Sequence, residues 1–355
     1  MTQTPIALAV PGDINTLTGG YIYDRQLYDE LCRADYDMIL VTLPNSFPFP
    51  PAADLARACA QLQALPAGTA VIIDGLAFGA LPPEEVAKIV APIIALVHHP
   101  LAFESALPTA QQEHFLKNER ENLRYAAQVL VPSPHTKATL IAHFEVDAAR
   151  IHIALPGIAQ LSQERPPVPR PARPLILSVG ILHPRKGHDV LIDALGYIEE
   201  LEWDACIVGG VWEEGYDTAL QDQIDRQGLT ARVRLAGRVE GAELSMLYSQ
   251  ASLFALATRY EGYGMVFNEA MIHGLPIVSC ATGAVPDTVP QGAGLLTAIE
   301  DPAAFGAALS QVLSDSTVAA NMRAAAVRAA KALGTWEDTA SVASRAIHAA
   351  RKAIS

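Results

Sequence analysis

The sequence predicts an α/β protein built from two Rossmann-like domains, each with a parallel sheet covered by helices. Two observations carry that expectation. Short, continuous apolar runs alternate with helix-compatible segments through both halves of the chain, the pattern of strands buried on both faces. A proline-rich break then separates two such series near the middle.

The first series starts with a strand at Ile6–Val10, a loop over Pro11–Gly20 and a helix over Tyr21–Ala34. A strand at Met38–Leu43, a helix over Asp54–Ala64, a strand at Ala70–Ile73, a helix near Pro83–Ile89 and a strand at Ile93–Val97 follow. Glu113–Ala127 is read as a helix, Val129–Val131 as a strand, Thr136–Phe144 as a helix and Ile151–Ala154 as the last strand. Residues 163–174 read QERPPVPRPARP, and five prolines in twelve residues exclude helix and sheet interior, so this segment is a stiff linker.

The second series runs from a strand at Leu175–Gly180 through a helix over Gly187–Glu200, a strand at Asp204–Gly209 and a helix over Asp217–Gln227. Val233–Ala236 is a strand, Ala242–Gln250 a helix and Leu253–Ala257 a strand. Ile277–Ser279, Asp287–Val289 and Gly294–Leu296 are read as the remaining sheet pieces, and Pro302–Leu313 and Val318–Lys331 as Ala-rich helices. Trp336–Ala353 is long enough to reach back across a neighbouring domain. The expected division is therefore 1–162, a linker at 163–174, 175–335, and a final helix in 336–355 that packs toward the N-terminal domain.

Composition narrows the function classes. In 355 residues, 50% are hydrophobic and 18% charged, which fits a globular chain too long for one core. A net charge of −13 argues against a general nucleic-acid surface. The N-terminus has no basic region before its apolar run and reads as a first strand rather than a signal peptide. Cys32, Cys59, Cys206 and Cys280 are scattered without CxxC spacing, which points to a reducing, cytoplasmic setting and to neither zinc nor disulfides.

The most informative stretch is Arg259–Ala270, RYEGYGMVFNEA. It joins a strand to a helix through Gly262 and Gly264. Unpaired N–H groups and the helix dipole at such a junction favour an anion, typically a phosphate. Glu261 and Glu269 bracket it, and a carboxylate there suits hydroxyls better than phosphate. A diphosphate flanked by hydroxylated groups, such as a nucleotide sugar, fits. An ordinary helix start with solvated acids is the plain alternative.

Val179–Gly187, VGILHPRKG, is a second strand-to-helix turn, with Arg185 and Lys186 supplying positive charge; it is neither a P-loop nor a GxGxxG fingerprint. Gly19-Gly20 allows close backbone approach to a ligand, with a flexible turn as the alternative. His98 and His99 end a strand and point to opposite faces, so they do not share one metal; His98 is the one expected to reach a substrate hydroxyl, against a buried structural histidine. Val208–Gly210 and Leu235–Val239 end strands where a base would lie, or are plain strand ends.

In this order the pieces resemble the retaining glycosyltransferases of family 4, which have the GT-B fold. Glu261–Glu269 matches that family's E-x7-E motif, Val179–Gly187 its lysine–glycine turn, and Gly274–Pro276 its downstream Gly-Leu-Pro; Gly19-Gly20 and His98 sit where the family has its glycine loop and sugar-facing histidine. The resemblance implies two Rossmann-like domains facing across a cleft, with the donor nucleotide on the C-terminal one. It implies Glu269 on the ribose, Glu261 on the donor sugar, and amides of Gly264, Met265 and Val266, beside Gly262 and Tyr263, on sugar and phosphate. It implies Lys186 and Arg185 on the diphosphate, Arg238 and Val239 reading the base, His98 near the reacting carbon and Gly19-Gly20 over the phosphates. Ile181 departs from the family, where many members have Arg.

The expected activity is metal-independent transfer from a UDP- or GDP-sugar, the donor being a substrate, with no cofactor. A nucleotide-sugar epimerase and a non-catalytic binding module are the alternatives. The acceptor side would be lined by Tyr21, Tyr23, Asp24 and Phe47–Pro51. On the helix after the histidines, Glu113, Glu119 and Glu121 offset Lys117, Arg120 and Arg124, so a soluble acceptor is favoured over a lipid.

Overall fold

The structure is a computed structural model and describes residues 5–104, 107–158, 169 and 171–352. The chain divides into two compact units, residues 1–159 with 334–355, and residues 160–333. Most of the proline-rich segment, residues 163–168 and 170, lies outside the described residues.

The first unit contains β1 (Ile6–Pro11), α1 (Gly19–Arg33), β2 (Met38–Leu43), α2 (Ala52–Gln63), β3 (Ala70–Asp74), α3 (Gly75–Phe78) and α4 (Pro83–Val86). It continues with β4 (Ile93–Leu96), α5 (Thr109–Tyr125), β5 (Gln128–Val131), α6 (Pro134–Phe144) and β6 (Ile151–Ile153). Its six strands are ordered β2-β1-β3-β4-β5-β6, and every pairing is parallel. β1, β3 and β4 are buried along their whole length, as their unbroken Val, Ile, Leu and Ala runs require.

The second unit contains β7 (Leu175–Val179), α7 (His188–Gly196), β8 (Asp204–Val208), α8 (Tyr216–Arg226), β9 (Val233–Leu235), α9 (Gly241–Gln250) and β10 (Leu253–Leu256). Then come α10 (Met265–Ile272), β11 (Ile277–Cys280), α11 (Val285–Thr288), β12 (Gly294–Thr297), α12 (Pro302–Ser314) and α13 (Ser316–Ala330). Its sheet, also parallel, is ordered β12-β11-β10-β7-β8-β9. The chain moves outward from β7 through β8 to β9, then returns to the other side of β7 at β10. That reversal is a topological switch point, where an open parallel sheet leaves a crevice for a ligand. In the first unit the reversal lies between β1 and β3.

The last helix, α14 (Trp336–Lys352), belongs to the first unit, where it packs against α1 and β5. Trp336 meets Tyr23 of α1 edge to face, with ring centroids 5.5 Å apart. Thr339 donates to the Leu155 carbonyl at 2.6 Å. Ala340, Ala343, Ala346 and Ala350 are buried, and their small side chains let the helix lie close to its neighbours.

Three sequence expectations need correction. Gly19-Gly20 is not the end of a loop but the first turn of α1, with Thr18 as the extended residue before it. Helix N–H groups in a first turn lack intrahelical partners in any case, so glycine costs less there than in an interior. Asp287–Val289 is not a strand: Pro286 sits in the first turn of α11, where its fixed φ favours helix. Finally, Glu119 is buried and accepts from the Leu101 and Ala102 amides at 2.8 and 3.0 Å, so it does not offset surface cations.

Candidate functional site

In the second unit, the turns after β7 and β10 flank the switch point and are tied to each other. Gly187 takes φ +64°, and a Cβ there would lie 1.9 Å from the Ala257 carbonyl oxygen, so only glycine lets the two turns approach this closely. The Arg185 carbonyl accepts from the Arg259 amide at 2.8 Å and the Thr258 hydroxyl at 3.0 Å. Arg259 grips Asp189 of α7 through two hydrogen bonds of 2.8 and 2.9 Å, and also bonds the Pro184 carbonyl and Glu300.

Lys186 and Glu261 meet inside this frame. Lys186 Nζ lies 2.6 Å from Glu261 Oε1, with side chains 13% and 5% exposed, so water screens the pair little. The Thr258 hydroxyl donates to the same carboxylate at 3.1 Å. Burial opposes ionisation of Glu261, but Lys186 and Arg185 outweigh it and hold the carboxyl below its usual range. The lysine stem runs along Gly180, 3.3 Å from where a Cβ would stand. His188 behind the turn is fully buried, and burial pushes its imidazole down to about 4, so it is neutral.

Glu261 leads through Gly262, Tyr263 and Gly264 into α10, whose first residues are Met265 and Val266. Gly264 has φ +87°, and a Cβ there would stand 2.6 Å from the Phe267 ring. The Thr288 hydroxyl donates to the Tyr263 carbonyl at 2.7 Å, and Asn268 donates to the Tyr263 hydroxyl at 2.9 Å, fixing the turn. Glu269 is half-buried on α10; burial raises its carboxyl, and the Tyr248 hydroxyl donates to it at 2.7 Å. Arg238 and Val239 follow β9, with the Arg238 side chain exposed and 2.6 Å from Glu240.

In the first unit, His98 follows β4. Its Nε2 lies 2.8 Å from Asp24 Oδ1 and 3.7 Å from Asp74 Oδ2. His99 turns to a different partner, Glu104, at 3.0 Å. Gly20 packs on the His98 ring, where a Cβ would stand 3.4 Å from Cδ2. Of the residues expected on the acceptor side, Tyr23, Asp24 and Phe47 are buried, the Tyr21 hydroxyl donates to the Pro11 carbonyl at 2.7 Å, and Phe49 is 55% exposed.

The structure thus brings Lys186, Arg185 and Glu261 together, with Gly262–Val266 next in the chain. It pairs Lys186 with Glu261, where the sequence assigned them to separate groups of a ligand. Sequence reasoning missed Thr258, Asp189, Tyr248 and Asp74. Only Asp74 carried a usable signal, a carboxylate directly following a buried strand.

Residues 162–332, just under half of the chain, match the family model Glycosyl transferases group 1. The D-inositol 3-phosphate glycosyltransferase of Xylanimonas cellulosilytica is 30% identical over 240 residues, 62% of this chain and 56% of that one. The mannosylfructose-phosphate synthase of Agrobacterium fabrum is 33% identical over 125 residues, 33% of this chain and 28% of that one. The chain thus spans about half the length, or less, of the curated relatives it matches. Among solved structures, sucrose-phosphate synthase from Thermosynechococcus elongatus superposes with a TM-score of 0.78 at 21% identity, over 97% of this chain and 98% of that one. HepE from Anabaena, solved with UDP-glucose, gives 0.75 at 18% identity over 96% and 98%. The fold is therefore of the GT-B type, and the second unit is the part that matches the glycosyl transferases group 1 model.

Proposed function

We propose that this protein is a retaining glycosyltransferase of family 4 that moves a hexose-type sugar from a UDP- or GDP-sugar to an acceptor hydroxyl. The observation that carries the reading is the buried Lys186–Glu261 pair at the switch point of the second sheet, continuous with the glycine turn into α10. Its family match and the UDP-glucose bound to HepE support a nucleotide-sugar donor over an unrelated anion.

Lys186, with Arg185, neutralises the donor diphosphate, and the amides of Gly264, Met265 and Val266 face its phosphates and sugar. Glu261 accepts from hydroxyls of the sugar and Glu269 from the ribose. Backbone at Arg238 and Val239 reads the base. His98 approaches the sugar near the reacting carbon, beside Gly19 and Gly20. As the sugar–phosphate bond breaks, negative charge grows on the leaving diphosphate, where fixed cations and a helix N-terminus stabilise it without a metal. The acceptor oxygen bonds the same face of the sugar, and its proton passes to a donor phosphate oxygen.

The acceptor reading remains a small soluble molecule rather than a lipid. The D-inositol 3-phosphate glycosyltransferases among the relatives, named for a small phosphorylated polyol, support it. No helix among the described residues is long and apolar enough to cross a membrane.

Incubation with a panel of UDP- and GDP-sugars tests the reading. Release of nucleotide, or of free sugar without an acceptor, supports it. A changed sugar on an intact nucleotide indicates an epimerase. Binding without turnover indicates a binding module, the alternative that Ile181 in place of the family arginine favours.

A further inference from the structure

The first unit holds a second constellation of titratable groups at its own switch point. Asp24 comes from α1, which follows β1; Asp74 ends β3, the strand on the other side of β1; His98 follows the neighbouring β4. Asp24 is 1% and Asp74 3% exposed, whereas the His98 side chain is 23% exposed, so the imidazole is the most exposed part of the cluster.

The rest of the surroundings hold the cluster in place. Asp74 caps α3 by accepting from the Leu76 amide at 2.9 Å. Tyr23 meets the His98 ring edge to face at 5.0 Å and spends its hydroxyl on the Ala154 carbonyl. Tyr21 faces both aspartates, with its hydroxyl on Pro11. Gly20 lies beside the ring, where a Cβ would stand 3.4 Å from Cδ2, an ordinary contact distance. Two buried carboxylates and one imidazole need protons or a cation for neutrality, because an uncompensated buried charge is costly.

We propose that Asp24 and Asp74 are positioning residues that keep His98 protonated and oriented, so that it offers an N–H rather than a lone pair to an oxygen of the sugar. Asp24 is the direct partner at 2.8 Å, and Asp74 at 3.7 Å adds its field. The role at the sugar rests on the transferase reading; the protonation state does not. Burial works against a charged imidazole, but the two aspartates outweigh it and raise the His98 pKa above its ordinary value. Burial and the neighbouring Asp24 raise the Asp74 carboxyl above its ordinary value, and the imidazole draws it back down.

The test is an NMR titration of the imidazole resonances in the full chain treated with EDTA, the His98 signals being assigned by their loss in His98→Asn. His98 is expected to titrate above 6.5 and to move to lower pH in Asp24→Asn, with a smaller move in Asp74→Asn, which retains the cap on α3. A titration at or below 6.5, or an unchanged midpoint in Asp24→Asn with a native circular dichroism spectrum, overturns the proposal. So does binding of zinc or manganese at one equivalent with loss of the His98 signal, since a cation would then supply the missing charge. In parallel, the basic limb of the kcat/KM profile for nucleotide-sugar hydrolysis is expected at lower pH in Asp24→Asn. A shifted titration with an unshifted kinetic limb removes the role at the sugar. Absence of any turnover in the unaltered protein, with the titration as expected, counts against the transferase reading and leaves the protonation claim standing.

Discussion

Lys186 and Glu261 hold opposite charges 2.6 Å apart where little water reaches either. Removing one partner strands the other, which costs roughly 3–5 kcal/mol for a buried pair. Lys186→Met should therefore lower thermal stability sharply, and Lys186→Met with Glu261→Gln should recover most of it. Nucleotide-sugar binding should stay lost in both, as isothermal titration can check. The pair also sets a pH dependence. Glu261 has a depressed folded pKa, so its contribution is present above the unfolded carboxyl value of 4.5 and is lost as pH falls through the lower folded value. The double variant should accordingly lose less stability on acidification than the unaltered chain, measured by urea unfolding at several pH values. Residue types were legible here because E-x7-E and the lysine turn lie within short stretches. Their contact was not, because Lys186 and Glu261 are 75 positions apart and meet only when β7 and β10 become neighbours. Asp74 could be noticed as a carboxylate at the end of a buried strand, but its partner could not: nothing local shows that the end of β3 reaches a histidine after β4.

At the scale of elements, two tight turns shape the second unit's site. Gly187→Ala would force a side chain at φ +64° into the Ala257 carbonyl, and Gly264→Ala would meet φ +87° and the Phe267 ring. Left-handed strain alone costs roughly 1–3 kcal/mol, and the steric overlap adds to it. Both variants should melt earlier than the parent, and Gly187→Ala should also weaken donor binding by separating Lys186 from Glu261. Strands were readable from their unbroken apolar runs. Short pieces failed where competing signals were local, as at Pro286, whose helix-starting φ outweighed the β-favouring valines around it. The Arg259–Asp189–Glu300 clamp escaped notice because exposed-looking charges in sequence are usually solvated, and only packing makes them partners.

At the scale of the molecule, the second half of the chain returns to the first unit through α14. Trp336, only 8% exposed, rests on Tyr23, which in turn touches His98. Trp336→Ala should cost about 3–5 kcal/mol, the range for a large aromatic deleted from a packed site. Hydrogen exchange should show the loss in β4, β5 and α1 rather than in β7–β12. The alternation of strands and helices made the two parallel sheets legible, but it leaves strand order open; the interior places of β1, beside the edge strand β2, and of β7 come from tertiary pairing.

The most direct test of the central claim is calorimetric titration of UDP- and GDP-sugars into the unaltered protein, Lys186→Ala and Glu269→Ala, with circular dichroism to confirm that each variant is folded. Saturable binding of at least one nucleotide sugar, lost or severely weakened in both folded variants, is the predicted result. No binding across the panel, or undiminished binding in Lys186→Ala, would contradict a donor site at the second switch point.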